Sequence, residues 1–69
     1  MAENLIEAIQ SKVAEIREEY IPAYQSIGPA GAFAVAMMRA AIQKAEQAIA
    51  TMDTVEMVRS LQRLREFKM

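Results

Sequence analysis

Apolar residues recur along this chain in steps of three and four. Ile6, Ile9, Val13, Ile16 and Tyr20 fall on one stripe of a helix, while Glu3, Glu15, Glu18 and Glu19 fall on its wet side. The spacing predicts a first helix over about 4–20, opened by Asn4 with Glu7 three residues later as an N-cap pair. Pro22 has no amide proton, and its ring crowds the carbonyl four residues back. Tyr24 and Ile27 nevertheless continue the rhythm from Tyr20. The expectation is a kink or brief break at Ile21–Pro22, then a helical extension over 22–27. Gly28-Pro29 should end it, with Gly28 taking the left-handed cap conformation.

Val35, Met38, Ile42, Ala45, Ile49 and Met52 mark the main stripe of a second helix, predicted over 30–51. Phe33, Met37 and Ala41 form another stripe beside it. Asp53 reads as the N-cap of a third helix over 54–67. Glu56 would be its capping-box partner, and Met52 with Met57 a hydrophobic staple. Val58, Leu61 and Leu64 continue the buried face. The short link between the last two helices predicts an antiparallel hairpin. The expected fold is therefore all-α, one domain over 1–69. It is a three-helix arrangement with a kinked N-terminal helix and a C-terminal antiparallel helical hairpin.

Size and composition add self-association to this picture. A chain of 69 residues is marginal without reinforcement, and it has neither a cysteine for a disulfide nor a histidine for an ordinary zinc site. Its apolar share is 54%. From Ala30 to Ile42 the only charge is Arg39, so half of the second helix is apolar nearly all round. Two other short helices are too little to cover it. A homo-oligomer is expected, with Phe33, Val35, Met37, Met38 and Ile42 at the interface.

The net charge of −1 argues against nucleic acid or an anionic lipid surface as the main partner. The charge is uneven. Glu3, Glu7, Glu15, Glu18 and Glu19 face only Lys12 and Arg17 in the first 20 residues, whereas Arg59, Arg63, Arg65 and Lys68 face only Glu66 at the end. The N-terminus is acidic and lacks an apolar secretory core. Ile21 to Met38 carries no charge, but its prolines and glycines disqualify it as a membrane span. A cytoplasmic protein without membrane contact is expected.

Catalytic chemistry finds little support. Histidine and cysteine are absent, and Ser11, Ser26 and Ser60 have no evident base. No catalytic residue, metal site or cofactor is expected. The candidates for binding are Gly28 and Gly31 at a helix start, where free N–H groups attract anions; Tyr20 and Tyr24, one turn apart, whose rings can stack on a base; and Arg39, suited to phosphate or carboxylate. Each has a structural alternative: the glycines as cap and close-contact residues, the tyrosines as core with wet tips, Arg39 as an ion-pair partner. Arg59 and Arg63 form a possible anion strip, or simply cations placed near a helix C-terminus. Met37, Met38, Met52 and Met57 either fill core gaps or form an adaptable face.

The pattern Tyr24-x-Ser26-Ile27-Gly28-Pro29-Ala30-Gly31-x-Phe33, then Ala45-Glu46-x-Ala48-Ile49 and Asp53-Thr54-Val55-x-Met57, resembles small uncharacterised helical accessory proteins of bacteriophages and prophages. The likeness runs from about residue 20 to 66 and brings no established site motif. It implies an accessory protein acting in the bacterial host cytoplasm. Many such proteins block host defences by docking on a host protein or by soaking up a nucleotide signal. The expected function is thus a stoichiometric counter-defence oligomer that sequesters a nucleotide-like ligand or occludes a host protein. The alternatives are a helix-turn-helix-like nucleic-acid-binding module and a structural subunit or adaptor of a phage complex.

Overall fold

A computed structural model describes the backbone of residues 2–67 and the side chains of residues 4–67. The Glu3 side chain and Lys68, both counted in the charge pattern above, lie outside the described residues. The described backbone is helical except at 26–28, 51–53 and 67. Its elements are α1 (Ala2–Glu15), a π-helical turn (Ile16–Tyr20), α2 (Ile21–Gln25), α3 (Pro29–Ala50) and α4 (Thr54–Glu66). Among the described residues no helix is long and apolar enough to cross a membrane.

The first helix begins upstream of its predicted start. Asn4 lies inside α1, so it is not the cap. Alanine and glutamate are good helix formers, so positions 2 and 3 can join the helix. At Pro22 the chain stays helical, with no non-helical residue from Glu15 to Gln25. The turn before the proline widens instead, and the Ile21 N–H donates to the Ile16 carbonyl five residues back. Such a π turn accommodates a residue that cannot join the regular ladder. The extension ends at Gln25, short of Ile27. The N–H groups of Ile27 and Gly28 turn back to the carbonyls of Tyr24 (3.2 Å) and Gln25 (3.1 Å). Ile27 leaves the apolar stripe and stands 59% exposed.

The core forms where the predicted stripes converge. Ile9, Ile16, Met38, Met57 and Leu64 are its largest fully buried side chains, and Leu5, Ile6, Tyr20 and Tyr24 pack against it. Phe67 lies beside Met37, Ala40 and Ala41, whereas Glu56 lies beside Ala48 and Thr51. Helix α4 therefore runs back along α3, as the short link requires. The first helical segment also opposes α3, with Ile9 near Ile49 and Ile21 near Ile42. Arg17 crosses to Glu46 at 3.1 Å, but both side chains are about half exposed, so this pair adds little. The result is a rod of 38 × 17 × 15 Å.

The turn at 51–53 closes α3 in a Schellman arrangement. The Met52 N–H donates to Ile49 O (3.1 Å) and the Asp53 N–H to Ala48 O (3.0 Å). Asp53 caps α4 by accepting from the Glu56 N–H at 3.2 Å. The reciprocal half of the box is not formed, because the Asp53 N–H is engaged with Ala48 and the Glu56 carboxylate accepts from Arg59 at 3.1 Å. The staple is also corrected: Met57 is fully buried, but Met52 remains 62% exposed. Asp53→Ala should lower stability by about 1 kcal/mol, the usual contribution of an N-cap. Urea denaturation checks this; an unchanged midpoint would show that the cap adds nothing.

Candidate binding surface

Helix α3 presents its faces to different neighbours. Gly31, Val35, Met38, Ala41, Ile42, Ala45 and Ala48 are buried within the chain. The opposite side is polar in the C-terminal half, where Gln43, Lys44, Glu46 and Gln47 are exposed. In the N-terminal half that side carries Ala30, Ala32, Phe33, Ala36, Met37 and Ala40, with Arg39 the one charge among them. Phe33 is 73% exposed and Met37, one turn on, is 49% exposed.

Helix lengths explain the bare face. The 13 residues of α4 reach about 20 Å, against about 33 Å for the 22 residues of α3. Returning from the far end, α4 meets α3 as far back as Met37 and stops. Beyond that point α2 covers one side of α3 and nothing in the described chain covers the other. The predicted interface set therefore divides. Val35, Met38 and Ile42 are 5%, 1% and 3% exposed and belong to the chain's own core. Helix α2, with Ile21 beside Ile42, covers more of α3 than a count of short helices suggests. Phe33 and Met37 are the members open to a second copy.

The predicted ligand residues are only partly brought together. Gly28 and Arg39 line one groove of about 330 Å³ with Gln25, Pro29, Ala32, Val35 and Ala36. Tyr20, Tyr24 and Gly31 do not line it. Gly28 adopts φ 85°, the left-handed region that glycine enters without strain. Gly31 is a close-contact residue: a Cβ there would stand 1.8 Å from the Tyr24 carbonyl oxygen. Its N–H donates to Gly28 O at 2.9 Å and is not free for a ligand.

Tyr20 faces a cation from its own chain. The Lys12 ammonium donates to Glu15 Oε1 (2.7 Å) and Tyr20 Oη (3.3 Å), and sits 5.2 Å from the Tyr20 ring centroid. The hydrogen bond to Glu15 holds the Lys12 ammonium above its ordinary pKa, against an opposing desolvation effect, with Tyr20 adding to the rise. A raised lysine pKa contributes stability below the unfolded value and loses it as pH rises through the folded value, so the cluster is intact at neutral pH. Sequence spacing did not single out Lys12. It lies across the π turn from Tyr20, eight residues away.

The other candidates divide as well. Arg59 is paired with Glu56, while Arg63 lines the α3–α4 groove beside Lys44, Glu66 and Phe67. They do not form one unpaired anion strip. Among the methionines, Met38 and Met57 fill the core, and Met37 and Met52 stand on the surface. No protein-family model, no curated protein and no solved structure matches this chain.

Proposed function

We propose that the chain is a non-catalytic binding protein that works as a homo-oligomer and takes up a nucleotide-like anion stoichiometrically. Copies pack through the bare N-terminal face of α3, and the ligand lies where that face borders the Arg39 groove. The observation that carries this reading is Phe33, exposed on a face whose other positions are mostly alanine. Small residues let two helix backbones approach closely, and Phe33 and Met37 supply protruding apolar groups to fill the gap. An exposed helix face otherwise tends to be polar, as the C-terminal half of α3 is.

Arg39 supports the ligand half of the proposal. It is exposed, and no ion pair engages it among the described residues, so its guanidinium is available for a phosphate. The base-stacking role falls away from Tyr20, whose ring is held against Lys12. The sequence likeness to small phage proteins supports a titrating, counter-defence role in the host cytoplasm. The net charge of −1 counts against the nucleic-acid alternative.

Sedimentation equilibrium of the wild type should return a multiple of the chain mass, and Phe33→Glu should return the monomer. In a thermal-shift series of linear and cyclic nucleotides, a ligand should raise the wild-type midpoint and leave Arg39→Ala unmoved. A monomeric wild type would overturn the whole reading. An oligomer unshifted by millimolar nucleotide would remove the ligand half alone.

A further inference from the structure

We infer that the turn between α3 and α4 is a second contact surface, and that its occupant is another copy of this chain. The inference rests on the oligomer proposed above, because the patch is too small to hold a partner alone. It begins with Met52, whose φ of 55° makes it the one described non-glycine residue in the left-handed region. This is the position of a Schellman turn that usually carries glycine. Burial does not account for the choice, since the Met52 side chain is 62% exposed. Val55 and Val58 follow on α4 at 62% and 43% exposed. A strained, solvent-facing methionine beside two solvent-facing valines is what a contact patch looks like before its contact forms.

Charge identifies the occupant. Glu56 and Arg59 flank the valines one turn apart and pair within α4 at 3.1 Å, both more than half exposed. If two copies of α4 lie antiparallel across a two-fold axis near the level of Met57 and Val58, Glu56 of each faces Arg59 of the other. The surface is therefore self-complementary in charge, as a two-fold contact must be. Three partly exposed side chains fall well short of the roughly 800 Å² per partner that an independent interface buries. An occupant already tethered through α3 does not need that area. Met52 lies 19 residues beyond Phe33, about 28 Å along the helix, so a two-fold axis at Met57 and Val58 is not the one that pairs the Phe33 face with its own copy, and each contact takes a different copy. Two distinct two-fold contacts build an assembly larger than a dimer.

Charge exchange tests this by native mass spectrometry. Wild type should run larger than a dimer. E56R alone and R59E alone each place like charges across the axis, and each should fall to the dimer. An equal mixture of E56R and R59E should recover the larger mass, although neither chain then has its intrahelical pair. Wild-type mass in either variant alone, or failure of the mixture to recover, would overturn the inference. A wild-type dimer would overturn it while leaving the α3 contact standing; a wild-type monomer would remove both. Phe33→Glu, monomeric with intact helical circular dichroism, would confirm that α3 supplies the first contact.

Discussion

Gly31→Ala should be among the most damaging single-methyl additions to this chain. The added Cβ would stand 1.8 Å from the Tyr24 carbonyl oxygen and 2.7 Å from its carbon. Both are backbone atoms, so no side-chain rotation relieves the clash. Relief requires the first turn of α3 to move off α2, which disturbs the seating of Ile21 and Val35 in the core. Overpacking a core costs about 1–3 kcal/mol and occasionally more, and a backbone obstacle belongs at the upper end. A domain of this size has only about 3–10 kcal/mol in total. At about 4–8 °C per kcal/mol the midpoint should fall by about 12 °C or more. Gly28→Ala is the comparison. Its Cβ meets nothing within 4 Å, so it bears only the strain of a left-handed alanine, about 1–2 kcal/mol. Thermal denaturation at one fixed protein concentration separates the two; equal losses would mean that Gly31 is not a packing residue.

How much of this was legible in the sequence depends on what kind of physics set each feature. The helices and the hairpin were legible because apolar periodicity and an Asp53 cap are local signals. The core role of Met57 and Leu64 follows from the same periodicity. The π turn before Pro22 was not legible, because a missing N–H can be accommodated by a break, a bend or a widened turn, and only packing selects among them. Gly31 illustrates a different limit. Two glycines near a helix start suit an anion site and a close helix contact equally well, and the distance to Tyr24 decides between them. Arg39 was visible as an isolated charge, but its lack of an ion-pair partner among the described residues depends on where Glu46 points. That carboxylate is taken by Arg17. The apolar segment from Ala30 to Ile42 stands out in the sequence, yet its composition does not say which side the chain itself covers.

That last distinction makes two neighbouring methionines behave in opposite ways. Met38 is 1% exposed and Met37 is 49% exposed, although both lie in the same apolar run. Met38→Ala removes a fully packed side chain from between helices and leaves a cavity. The expected loss is about 2–5 kcal/mol, a large part of the total stability, and it should appear at every protein concentration. Met37→Ala removes a half-exposed side chain whose intrachain neighbours lie at the end of α4, beside Phe67. Its effect on the fold should be about 1 kcal/mol, the centre of the range for single substitutions. If copies meet through this face, the same substitution should weaken association and make the melting midpoint more dependent on protein concentration. Denaturation curves across a hundredfold concentration range would resolve both effects. Similar losses in the two variants at high dilution would show that Met37 also belongs to the folded core. A Met37→Ala protein with unchanged association would exclude that residue from the contact and confine the α3 interface to the end bearing Phe33.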